Sequence, residues 1–134
     1  QEDTLAMKNA LSLLKPEGVF VVTVPAHKFL WSTHDEALHH KRRYHSYELT
    51  KKLEQAGFEI VKKSYFVSVV FPAILLYRLW GNIFGRDAFP KTSYVLLPRF
   101  LNTFLANILG FEASLLKTMD IPFGTSLVVI AKKK

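Results

Sequence analysis

At 134 residues the chain is one domain's worth of polypeptide, and 49 % hydrophobic against 22 % charged residues excludes a disordered one. It has no cysteine, which excludes disulfides and thiolate metal sites and fits a reducing compartment. A formal net charge of +7 points to anionic partners, whether phosphate, nucleic acid or lipid headgroups, and says nothing about fold.

The first element is a helix over Thr4 to Leu14. Met7, Ala10, Leu11 and Leu14 form one apolar stripe, Asp3 or Thr4 caps the start, and Lys15-Pro16-Glu17-Gly18 ends it. This stretch has no apolar signal region, so it does not read as a secretory leader. Val19-Phe20-Val21-Val22-Thr23-Val24 follows, stopped by Pro25. A run without polar alternation predicts a strand buried on both faces, as in a helix-covered parallel sheet. A second helix is expected from Tyr47 to Ala56, with Ser46 as cap, Glu48 in the first turn, Leu49 and Leu53 on the apolar face and Gly57 as the left-handed stop. Phe58 to Phe66 and Thr125 to Ala131 read as two further strands, and the order of elements suggests βαβ units.

A segment of different character lies between those last strands. Residues 1–65 carry 18 charged side chains and residues 66–119 only seven, so the segment reads as an apolar helical insertion into a core made of 1–65 and 120–134. Helical spacing is seen at Ile74, Leu75, Tyr77 and Arg78 and again from Val95 to Leu116, punctuated by Pro72, Pro90, Pro98 and Gly110. Its longest charge-free run, Ser64 to Tyr77, contains Pro72 and falls short of the roughly 20 residues a spanning helix needs.

Leu13-Leu14-Lys15-Pro16-Glu17-Gly18 before the Val19–Val24 run and Pro25 resembles the LKPGG-strand-proline signature of class I S-adenosylmethionine-dependent methyltransferases. Glu17 stands where that family usually has glycine. His40-Lys41-Arg42-Arg43-Tyr44, with Leu49, Leu53 and Ala56-Gly57-Phe58, is similar to the H-x-R-R-Y, L, L, AGF stretch of a bacterial subgroup of type 11/12-like enzymes. The resemblance implies an α/β fold: the carboxyl-terminal half of a Rossmann-like sheet, strands five to seven, with the last strand antiparallel between the other two. It also implies that the glycine-rich loop holding S-adenosylmethionine lies upstream of Gln1, since no G-x-G-x-G occurs here. The chain is then expected to be a fragment or processed product that binds the cofactor poorly by itself.

In open α/β sheets ligands bind beyond the carboxyl ends of the strands, which places the polar loop from His27 to His45 at that edge. His34, Asp35 and His40 are the candidate catalytic groups, because an imidazole or carboxylate can take a proton from an acceptor hydroxyl or amine. Arg43 is a candidate clamp for a phosphate or carboxylate, and Trp31 and Phe29 candidate pocket walls. Tyr44 either meets the substrate or packs under the second helix, and Lys41 and Arg42 read as a solvated basic face. Asp35 and His39 lie four apart, a spacing that can hold a divalent ion, but no histidine outside 27–45 would complete a site, so no metal is expected. The basic residues are too scattered for nucleic acid. Arg78, Arg86, Lys91 and Arg99 among the apolar faces of the insertion suit either a cap over the pocket or a membrane surface receiving a lipid-linked substrate.

The resemblance implies an expected activity of methyl transfer from S-adenosylmethionine to a small or lipid-linked acceptor, in the cytoplasm or peripheral to the inner face of the membrane. The rival expectation is a non-catalytic membrane- or partner-binding module. An open apolar edge on the first strand also predicts self-association.

Overall fold

The computed structural model describes residues 2–84 and 97–134. Helix α1 (Glu2–Leu13) opens on Glu2 and Asp3, whose charges suit the positive end of a helix. Its stripe does what the spacing predicts: Met7 is buried, and Ala10, Leu11 and Leu14 pack against the core. The chain then turns through Glu17, whose φ of 65° lies in the left-handed region that favours glycine. The Glu17 carboxylate meets the Lys132 ammonium across the turn.

Strand β1 (Val19–Pro25) leads into a loop with a 3₁₀ turn (Lys28–Leu30) and the short helix α2 (Thr33–Ala37). Helix α3 (Ser46–Ala56) follows, buries Leu49, Thr50, Leu53 and Ala56, and stops at Gly57 with φ 107°. The expected cap shifts by one residue. His45 holds the extended cap position, and Ser46 is already helical, its N–H donating to the Tyr65 hydroxyl at 3.3 Å.

Strand β2 (Phe58–Phe66) and strand β3 (Ser126–Lys133) complete a three-stranded sheet of order β1-β3-β2. The last strand lies between the other two and is antiparallel to both, with Val22 opposite Val129 and Tyr65 opposite Leu127. A bulge at Val61 interrupts the second ladder between Ile60 and Lys62.

Two expectations for β1 are corrected. Its ladder is antiparallel, because β3 separates it from β2, which runs the same way. It is also covered on one face only: Phe20, Val22 and Val24 pack on the core, whereas Val19 and Val21 are 56 % and 57 % exposed. The reason is that α1 and α3 lie on the same side of the sheet, over Leu127, Val129, Ala131 and Phe58. An apolar run records that a strand can be covered twice, not that two layers are present. Phe20 and Phe58 stack across the covered face with centroids 5.1 Å apart.

The apolar segment forms α4 (Phe71–Phe84) and α5 (Arg99–Leu115). Pro72 sits in the first turn of α4, where its missing N–H costs nothing. Glu112 of α5, 3 % exposed, holds the segment just before α4: its carboxylate oxygens accept the Ser68 N–H at 3.0 and 3.1 Å. Arg86, Pro90, Lys91 and Val95, named above, lie outside the described residues. Among the described residues no helix is long and apolar enough to cross a membrane.

Gly124 closes the approach to β3 against β2, and an added Cβ there would run into the Phe66 backbone carbonyl. Gly124→Ala is expected to lower stability by about 1–3 kcal/mol, read as a fall in Tm, because backbone on both sides must move.

Candidate functional site

The loop that leaves β1 is held at both ends by backbone. Ala26, fully buried, donates its N–H to the Thr125 carbonyl at 2.9 Å. Tyr44 returns beside it in a one-residue parallel bridge, its N–H donating to Pro25 at 2.9 Å and its carbonyl accepting from His27 at 3.0 Å. His27 turns the corner with φ 59°, and its ring stacks on Tyr65 at 5.0 Å with the planes 7° apart. Burial, followed by the neighbouring His45 and Arg43 charges, holds the His27 imidazole below its ordinary pKa.

Within this frame, Asp35 organises the loop. It is fully buried on α2 and reaches back to accept the Ser32 N–H at 3.0 Å, the reciprocal bond of an S-x-x-D cap. Arg43 grips the same carboxylate in a fork: Nε donates to Oδ1 at 2.9 Å and Nη2 to Oδ2 at 3.0 Å. The guanidinium, itself 6 % exposed, sends Nη1 to the Ala26 carbonyl at 2.9 Å. Burial alone would raise the Asp35 pKa; hydrogen bonds from Arg43 and His40 and the Arg43 charge outweigh it, and the carboxyl sits below its ordinary value.

His40 Nδ1 lies 3.1 Å from Asp35 Oδ1. An ionised carboxylate only accepts, so Nδ1 carries the proton and, in the neutral ring, Nε2 keeps its lone pair. This is a base held in one tautomer by a buried acid.

His40 and Arg43 face a cleft of about 420 Å³ at the end of β1. Thr23, Val24 and Pro25 of β1, Thr125 and Ser126 at the start of β3, and Phe66 and Ile74 from β2 and α4 complete it with His34 and Leu38. Hydroxyls, two imidazoles and one guanidinium thus meet an apolar wall. No family model matches the chain, and no curated protein matches it.

The expected site residues therefore divide. His34, His40 and Arg43 come together at the cleft, and Asp35 stands behind His40 and Arg43 rather than at the surface. Tyr44 takes the second of its two readings: it is 6 % exposed in the core, and its hydroxyl donates to Asp3. Burial and the Asp3 carboxylate push the Tyr44 pKa far up. Trp31 and Phe29 are half-exposed and are not among the cleft's lining residues. Arg42 turns to Asp3 at 2.9 Å, alongside Lys52 at the same distance. Among the described residues no three His, Asp or Glu side chains are grouped to hold a metal.

Thr23, Phe66, Ile74, Thr125 and Ser126 were not expected as site residues from the sequence. They come from the ends of different elements, and no local pattern links them. The only available signal was the rule that a strand's carboxyl end borders the ligand.

Proposed function

We propose that the chain supplies the acceptor side of an S-adenosylmethionine-dependent methyltransferase, acting on a small or lipid-linked acceptor. The observation that carries the proposal is the Asp35–His40 pair at a cleft beyond the carboxyl end of β1. The strand order supports it, with the last strand antiparallel between two others as the family resemblance implies. Glu17 supports it too: the position that is usually glycine in that family takes a left-handed backbone here.

The described residues are not built to hold the cofactor. No carboxylate lines the cleft to take a ribose, and the sequence has no glycine-rich turn to admit a nucleoside. The cleft instead fits the acceptor, and this chain's residues act on it alone. Thr23, Thr125, Ser126 and the Arg43 guanidinium orient the acceptor by hydrogen bonds, while Leu38, Phe66 and Ile74 exclude water from its apolar part. His40 Nε2 takes the proton that the acceptor hydroxyl or amine loses, and Asp35 stabilises the imidazolium that results.

The competing reading is a binding module with no chemistry, favoured by the exposed apolar surface of α4 and α5. Labelled methyl transfer separates the two. The longest open reading frame containing this chain is incubated with methyl-labelled S-adenosylmethionine and the lipid and small-molecule fractions of a cell extract. Label in either fraction supports the enzyme. Absence of label, with no heat of cofactor binding by calorimetry, leaves the binding module.

A further inference from the structure

α5 carries Phe100, Phe104 and Phe111 at spacings of four and seven, which brings them to one side of the helix. They are 76 %, 60 % and 67 % exposed. α4 adds Leu76 and Trp80, 69 % and 65 % exposed. Patches of large apolar side chains at this density mark a contact surface, since an isolated exposed Phe is ordinary and a row of them is not.

The charges around the patch say what kind of surface covers it. The one acid on α5, Glu112, is buried and engaged by the Ser68 N–H. Arg99 at the start of α5 and Lys117 just beyond its end are exposed. Arg99 and Lys117 thus flank the α5 row with no exposed acid on that helix, within a chain of net charge +7. A second copy of this chain, packed on the same patch about a two-fold axis, would set basic residues against basic residues. An anionic surface neutralises them.

We propose that α4 and α5 seat the protein on the surface of an anionic lipid bilayer, with Phe100, Phe104, Phe111, Leu76 and Trp80 entering the headgroup region. The physical basis is that of an interfacial helix: apolar side chains partition into the acyl boundary, and basic side chains gain from the negative surface potential. Ile74 lines the cleft from α4, so a docking helix forms part of the cleft wall. Docking there brings the cleft, and His40 within it, to the headgroup layer that would hold a lipid acceptor. The extension to a lipid acceptor rests on the methyl-transfer reading; docking itself does not, and is measured without cofactor or acceptor.

The test is co-sedimentation of the full chain with vesicles of pure phosphatidylcholine and with an equimolar mixture of phosphatidylserine and phosphatidylcholine. Binding is expected to the mixed vesicles, weakened by salt. The F100S/F104S/F111S variant is expected to lose affinity by about tenfold or more. In a Trp31→Phe background, which leaves Trp80 as the chain's one tryptophan, brominated lipid is expected to quench its fluorescence, a readout that needs no change to the patch. Failure to bind mixed vesicles, or binding without quenching, overturns the proposal. So does binding unchanged in the triple variant. A stable dimer that this variant converts to monomer assigns the patch to self-association and likewise overturns it.

Discussion

Asp35→Ala is expected to destabilise the fold by about 3–5 kcal/mol, the cost of leaving one member of a buried ion pair alone. The Arg43 guanidinium is 6 % exposed and would keep only the Ala26 carbonyl of the partners described here. Urea denaturation followed by circular dichroism measures the loss. The expectation for Asp35→Ala/Arg43→Met is a smaller loss than for Asp35→Ala, because both charges go together and the apolar stem remains. Equal losses would mean the pair is not what holds the loop. The same pair sets an acid limb. The folded Asp35 carboxyl has a pKa below its ordinary 3.8, so its contribution to stability is complete well above that value and is lost as pH falls through the folded pKa. Below about pH 4 the wild-type protein is therefore expected to lose stability more steeply than the Asp35→Ala variant.

His40→Ala is expected to slow the proposed methyl transfer by about 10²–10⁴-fold, the usual worth of a positioned general base. Its effect on stability is expected to be small, since the ring is a third exposed and Asp35 keeps Arg43 and Ser32. Added free imidazole is expected to restore part of the rate in His40→Ala and to do nothing for the wild type. That readout tells a base apart from a residue that only shapes the cleft. An undiminished rate in His40→Ala would leave His34 as the remaining imidazole at the cleft. Stability and rate thus separate the two residues: Asp35 is expected to govern both, His40 the rate alone.

Much of the fold was legible because it is written in near-neighbour patterns. The Met7–Leu14 stripe, the Leu49 and Leu53 face, the Gly57 stop and the bounds of β2 follow from local periodicity and from the backbone freedom of one glycine. The covering of β1 was not legible, because Val19 and Val21 have the same chemistry whether a second layer of helices meets them or not. Strand order was readable only through the family resemblance. Hydrogen bonds between strands join residues more than a hundred positions apart, as Val19 and Lys132 show.

The loop from His27 to His45 shows where composition stops and tertiary structure takes over. Its sequence alone determined that histidines, an aspartate and arginines would gather at the end of β1. The S-x-x-D cap that starts α2 is equally local, its bond spanning three residues, but it was not read from the sequence. Only the folded chain decided which of those groups meets the cleft. Asp35 and Arg43 desolvate each other and so become each other's partners, which leaves the carboxylate to orient His40 rather than to meet a substrate itself. Tyr44 was drawn inward by Asp3, a carboxylate 41 residues away. Charge pairing and burial act over ångströms in space, and the distance along the chain between the paired groups carries no trace of it.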